Sequence, residues 1–150
     1  MSPIYFAYGS NMKTDRMTRR VPSAKPLGYA KLMDKKLVFN KISSDGSGKT
    51  NIVDAKNGVV LGVLFEIDEE EIVKLDDIEK GYEKQDITVL GNDDKPLRAF
   101  TYVSTQTKDG LKPYDWYLNF LIEGADENEL PKGYVDSLRM FESVPDTRKK

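Results

Sequence analysis

The chain has 150 residues, 39% hydrophobic and 32% charged, with a formal net charge of −2; this fits one globular domain with a real core and argues against nucleic acid as the main partner. It contains no Cys and no His, which excludes disulfides, thiolate nucleophiles, sulfur- or imidazole-ligated metals and His-based catalytic triads. Proton transfer near neutral pH would therefore fall to a carboxylate, a lysine or a tyrosine in a tuned environment.

The opening MSPIYF has no basic segment leading into an apolar one, and the longest apolar stretch, VVLGVLF at 59–65, is too short to span a bilayer. A cytoplasmic protein without membrane contact is expected. Residues 3–8 predict a first strand, apolar on both faces and so central. Asn11 is placed to cap a short helix over 12–19. Strands are predicted at 27–33 and 35–40, joined tightly around Asp34. The polar stretch KISSDGSGKTN (41–51) is expected to be the least ordered part of the interior.

Strand character returns at 51–54 and 58–67. A helix follows over 68–79, with Asp68 and Glu71 as a start signal and Gly81 just beyond its end. Residues 82–90 and 96–103 predict two further strands turning at GNDDKP. Helices at about 114–123 and 132–142 flank the turn GADENELP, and 144–150 is expected as a flexible tail. No repeat or linker divides the chain, so 1–143 is expected to form a single domain. The pattern is that of an α+β protein built on a mixed, strongly curved sheet.

Several stretches could carry chemistry. SSDGSGKT (43–50) is similar to a phosphate-binding loop, but Ser43 stands where the first glycine is required and a strand, not a helix, follows. It reads as a loop. YGSN (8–11) lies between a buried strand and a helix start, where unpaired backbone amides suit a carboxylate or a developing oxyanion. Gly9 would let a ligand approach the backbone. An ordinary capped helix start explains the same residues.

In the acidic segment DEEEIVKLDDIEKGYE (68–83), Ile72, Val73, Leu75 and Ile78 point on average toward Glu79 on a helical wheel. Asp77 lies on the far side, Asp76 flanks the apolar arc, and Asp68 is needed as a cap. A carboxylate aimed at a core is costly unless it has a task or a partner. Burial and the helix C-terminus both raise its pKa toward that of a base working at neutral pH. A structural salt bridge to a Lys or Arg accounts equally well for its position. RMTRR (16–20) reads as a solvated helix face, and the aromatics of YDWYLNF (114–120) as core, with Tyr117 able to offer a phenol at a pocket edge.

Taken together, YFAYGSNM, VPSA, GVLF, LDDIEKGY and YLNFLIEGADENELPKGYVDSL, in that order from Ile4 to Leu138, resemble the γ-glutamylcyclotransferase family. The resemblance implies an α+β fold on a closed or nearly closed β-barrel with flanking helices. It implies conversion of a γ-glutamyl amino acid to 5-oxoproline and a free amino acid, with no cofactor. Glu79 matches the family's catalytic glutamate. Tyr5, Phe6, Ala7, Tyr8, Gly9 and Ser10 match its substrate-binding loop, and Tyr117 a substrate-contacting tyrosine.

The implied partner is a small γ-glutamyl compound, with a homodimer left open. The Ser-Asn form of the loop favours the branch acting on γ-glutamyl amino acids over that acting on γ-glutamyl-lysine amides. The chain departs from the pattern at Lys80, which separates Glu79 from Gly81, and in the 43–50 and GNDDKP segments. Two other readings stay open: removal of a γ-glutamyl protecting group from a biosynthetic intermediate, and a non-catalytic small-ligand module on the same fold.

Overall fold

The structure is a computed structural model that describes residues 2–148. Its strands are β1 (Ile4–Ala7), β2 (Lys25–Ile42), β3 (Gly48–Glu66), β4 (Glu83–Gly91) and β5 (Pro96–Val103), and its helices α1 (Thr14–Arg20), α2 (Ile72–Ile78), α3 (Asp115–Glu127) and α4 (Lys132–Arg139). The strands close into a barrel in the order β1-β3-β2-β4-β5. β1 runs antiparallel to β3, with Tyr5 opposite Phe65 and Ala7 opposite Val63. Its other edge meets β5 in parallel at Tyr5–Phe100, which closes the barrel and makes the sheet mixed.

Two-residue alternation explains why β1 is apolar throughout. Phe6 packs with Ala30, Leu32, Val60, Leu64, Val89 and Ala99. Every strand contributes to this cluster and no helix does, so it is the barrel interior. Tyr5 and Ala7 point the other way, into a layer where Val63, Phe65 and Phe100 meet Met12, Met17, Leu118, Leu121 and Leu138. Phe6, Phe65, Met12 and Leu121 are fully buried, each a gain of roughly 1.5–3 kcal/mol over exposure.

The breaks expected at Asp34 and around residues 55–57 are bends within continuous strands. The β2–β3 register shifts between Met33 and Lys35. There Asp34 and Asn57 adopt positive φ (62° and 64°), and the Asn57 amide donates to the Asp34 carboxylate at 3.1 Å. Asp and Asn tolerate the left-handed region, so long strands can bend around a small barrel without ending.

The expected helix over 12–19 is a 3₁₀ turn, Ser10–Met12, followed by α1 from Thr14. Asn11 caps neither. The helix expected over 68–79 likewise divides into a 3₁₀ turn, Glu69–Glu71, and α2. Asp68 makes no side-chain cap; Glu71 instead accepts from the Ser23 amide at 2.7 Å and from Lys74 at 2.9 Å. Gly81, at φ +89°, does lie just past the helix end.

The 41–51 stretch, expected to be poorly ordered, is a tied hairpin turn. Gly46 N–H donates to Ser43 O (3.1 Å), Ser43 N–H to Ser47 O (3.2 Å), and Ser47 N–H to the Asp45 carboxylate (2.9 Å). The end of the chain also packs back. Val144 N–H donates to Pro113 O at 3.0 Å, and Asp146 accepts from Trp116 Nε1 at 2.9 Å. Of the segment expected as a flexible tail, Lys149 and Lys150 lie outside the described residues. Among the described residues, no helix is long and apolar enough to cross a membrane.

Helix α3 continues through Gly124–Glu127, the first half of the expected turn, and the chain turns after it at Asn128. Gly124 allows it: a Cβ there would overlap the Met12 carbonyl carbon and the Lys13 amide nitrogen. The helix therefore packs directly on the backbone that follows β1. Gly124→Ala should consequently destabilise the fold by about 1–3 kcal/mol through overpacking, although helix propensity alone favours Ala by roughly 1 kcal/mol. Urea denaturation of the two forms tests which effect governs this position.

Candidate active site

The end of β1, the 3₁₀ turn after it, α1, α2 and the β2–β3 hairpin converge on one cavity of about 210 Å³. Tyr5, Tyr8, Gly9, Ser10, Tyr117 and Glu79 all line it. Phe6 and Ala7, also expected to bind substrate, do not; Phe6 fills the barrel interior and Ala7 the layer under the helices. Their place in the loop motif reflects strand packing: successive residues face opposite sides, which sends Phe6 inward, and Ala7, on the face of Tyr5, is covered by the core under the helices.

Gly9 is demanded by neighbours within the protein. A Cβ at Gly9 would collide with Thr50 Oγ1 and lie 3.4 Å from the Tyr117 hydroxyl. That hydroxyl accepts from the Thr50 amide at 3.2 Å and shares a 2.9 Å hydrogen bond with Thr50 Oγ1. The loop, β3 and α3 are thus locked together at one point. After Gly9 the chain turns, with Met12 N–H donating to Gly9 O at 3.0 Å. The amides of Gly9, Ser10 and Asn11 donate to no other described residue, and all three residues face the cavity.

Asn11 is the link that the expectation of a cap concealed. Its side-chain amide donates to Glu79 Oε1 at 3.0 Å and to the Tyr5 hydroxyl at 3.2 Å. Its carbonyl oxygen accepts from Arg20 at 3.4 Å. Glu79 itself is the C-cap of α2. The wheel pointed to Glu79 for a partly mistaken reason: Val73 is 65% exposed and Ile78 38% exposed, and only Leu75 of α2 is fully buried. Glu79 shares the stripe of Leu75, four residues earlier, and so faces inward.

Burial pushes the Glu79 carboxyl above its ordinary value, against the opposing pull of Arg20, the Asn11 amide, Lys41 and Arg16. It has no ion-pair partner within 4.0 Å among the described residues. The structural salt bridge considered from sequence is therefore not what holds it. Burial also raises the phenols of Tyr5, Tyr8 and Tyr117, with the Glu79 charge adding to the effect in each. These tyrosines stay protonated at neutral pH; Tyr8 donates to Tyr102 O at 2.6 Å, while the Tyr5 hydroxyl accepts from Asn11 and that of Tyr117 from the Thr50 amide.

The basic RMTRR stretch is not simply a solvated face. Arg16 and Arg20, four residues apart and so on one side of α1, both line the cavity, and Arg16 Nε donates to Ser10 Oγ at 3.3 Å. Arg19, on the outer side, reaches Asp15 at 3.9 Å. Lys41, Lys49, Thr50, Tyr82 and Tyr102 complete the walls. Lys49 and Thr50 come from the stretch similar to a phosphate-binding loop, and here they begin β3. The i, i+4 spacing of the arginines was visible in the sequence. Nothing local marked Lys41 or Tyr82. Among the described residues no group of three or more Asp, Glu, His or Cys side chains could hold a metal ion.

Comparison with known proteins bears directly on this arrangement. Residues 59–138, which include Glu79 and Tyr117, match the model of the AIG2-like family. Over 148 residues the chain is 31% identical to the γ-glutamylcyclotransferase of Mus musculus and 30% to that of Homo sapiens, covering 93% of this chain and 78% of each relative. A solved γ-glutamyl cyclotransferase superposes with a TM-score of 0.92 at 30% identity, over 99% of this chain and 93% of that one. The chain belongs to the γ-glutamylcyclotransferase family. It is an enzyme of the cyclotransferase type, on the closed mixed barrel that the family resemblance implied.

The perturbed carboxyl has a measurable consequence. Because its folded-state pKa is raised, folded Glu79 holds its proton to higher pH than unfolded Glu79 does. Stability from this group is complete below the unfolded carboxylate value of about 4.3 and declines as pH rises through the folded one. Thermal denaturation of wild type and Glu79→Gln should therefore show a Tm difference that shifts in favour of the variant between acid and neutral pH. A constant difference would mean that the carboxyl titrates as it does in water.

Proposed function

We propose that the chain converts γ-glutamyl amino acids, or related γ-glutamyl amines, to 5-oxoproline and the free amine, with Glu79 as general acid and base. The observation that carries this reading is one juxtaposition: Glu79, hydrogen-bonded to Asn11 and raised in pKa by burial, shares a cavity with the undonated amides of Gly9, Ser10 and Asn11. Such a pair supplies both needs of an internal aminolysis, a proton carrier and a cradle for negative charge. The name of its mouse and human relatives, γ-glutamylcyclotransferase, agrees with it.

In the proposed reaction Glu79 removes a proton from the substrate's α-ammonium. The freed amine attacks the substrate's own γ-carbonyl carbon, forming the C–N bond of a five-membered ring and a tetrahedral oxyanion. Loop amides receive the oxyanion. Collapse breaks the bond to the departing nitrogen, which takes the proton back from Glu79. The attacking nitrogen sheds a second proton through Glu79 as it becomes the lactam N–H, so both protons lost by the α-ammonium end on the departing nitrogen, and no other reactant is consumed. Binding the glutamyl chain bent supplies the effective molarity on which ring closure depends. Arg16 and Arg20, beside the loop, are placed to receive the glutamyl α-carboxylate.

Asn11 is a positioning residue in this scheme. Its amide favours the ionised form of Glu79 and aims the carboxylate. Glu79→Gln should fold, retain affinity for 5-oxoproline, and lose about 10²–10⁴ in kcat, measured as 5-oxoproline release by mass spectrometry. Retained turnover in that variant would remove Glu79 from the mechanism. Asn11→Ala should move the acidic limb of the kcat–pH profile to higher pH, because the ionised base loses a donor. A simple loss of rate at an unchanged limb would instead indicate a structural role for Asn11.

A further inference from the structure

The cavity holds more positive charge than the proposed reaction uses. Arg16 and Arg20 from α1, Lys41 from β2, Lys49 from β3 and Lys80 after α2 all line it, against the carboxylate of Glu79 alone. Lys49 is matched by Asp45 at 3.5 Å and lies over the rings of Trp116 and Tyr117. Asp45 is kept ionised: burial would raise it, but the Ser47 hydroxyl and amide and the Lys49 charge bring it down to about 2. Arg16, Arg20, Lys41 and Lys80 have no carboxylate within 4.0 Å among the described residues.

These cations fall into two groups. Arg16 and Arg20 are tied to the amide loop, through Ser10 Oγ at 3.3 Å and Asn11 Oδ1 at 3.4 Å. Lys41 and Lys80 belong to the region of Gly81 and Tyr82. The Lys41 ammonium lies 5.3 Å from the centre of the Tyr82 ring and 3.0 Å from where a Cβ on Gly81 would stand, and it donates to no other described residue. It is half-buried, so its charge is only partly compensated by water. A ligand that brought one carboxylate to the arginines would leave this second group unmatched.

Substrate charge can be counted against this surplus. A γ-glutamyl group on a neutral amine carries one carboxylate and one ammonium, for no net charge. An amino acid as leaving group adds one negative charge, and an acidic amino acid adds two. Resting on the cyclotransferase reading, we propose that the pocket selects γ-glutamyl dipeptides whose second residue is acidic, with Lys41 receiving the added side-chain carboxylate. The bonds made and broken are those of the ring closure above, and the acidic amino acid departs with its α-nitrogen protonated. Lys41 is then a specificity residue.

The test compares γ-glutamyl-glutamate with γ-glutamyl-glutamine, which differ in charge but hardly in shape. With the full chain, kcat/KM for 5-oxoproline release should favour the acid by about tenfold, the value of one well-formed contact of roughly 1.4 kcal/mol. The preference should shrink with added salt, and Lys41→Gln should bring the ratio toward one. Turnover of both compounds at equal efficiency would overturn the charge selection and leave the cyclotransferase reading standing. Absence of 5-oxoproline from both would sink that reading. Calorimetric affinities of Glu79→Gln for the two compounds then decide the selection independently: tighter binding of the acid supports it, and equal or undetectable binding overturns it.

Discussion

One half-buried carboxylate, without an ion-pair partner among the described residues, is the constraint around which this molecule is arranged. Leaving Glu79 in such a place is costly, and the protein offsets the cost with an Asn11 hydrogen bond and with cations kept at a distance. A direct ion pair would pull the pKa down and leave a weaker base. Distant charge and a neutral amide donor permit ionisation without forcing it. The same surroundings raise the neighbouring phenols, so the tyrosines at this wall stay protonated.

Barrel closure makes the arrangement possible. β1 is short and paired on both edges, antiparallel to β3 and parallel to β5. Its end is therefore a fixed point from which the Gly9–Asn11 turn projects. Two glycines then set the approach of other elements to that turn. Gly9 admits Thr50 and the Tyr117 hydroxyl, and Gly124 brings α3 onto the backbone of Met12 and Lys13. The loop is held on both sides by groups that a single added methyl would displace. Rigid support of this kind keeps backbone donors aimed without reorganisation during a reaction.

The cationic wall is contributed by segments far apart in the chain. Arg16 and Arg20 sit on a seven-residue helix, Lys41 at the end of an eighteen-residue strand, and Lys80 after α2. The net charge of −2 hides this local excess, since most acidic side chains lie on outer surfaces such as the Glu69–Glu71 turn. Global charge predicts little about a pocket, because a field within a few ångströms is set by whichever residues the fold gathers there.

Much of the fold was legible from local pattern. Alternating strands, a β1 apolar on both faces and Gly81 past a helix end each follow from interactions within a few residues, as does the exclusion of His and Cys chemistry. The inward direction of Glu79 was legible through its i, i+4 relation to Leu75. Tertiary structure alone decided the rest. It turned Asp34 and Asn57 from strand ends into bends, because closure of the barrel rewards continuous pairing. It made Asn11 a partner of Glu79, 68 residues away, instead of a helix cap, and it removed Phe6 and Ala7 from the cavity. It also gathered lysines and arginines from three elements and the turn after α2 around one acid. Periodicity records which face of an element is buried; which groups meet across that face depends on how the barrel closes, and that is a property of no single segment.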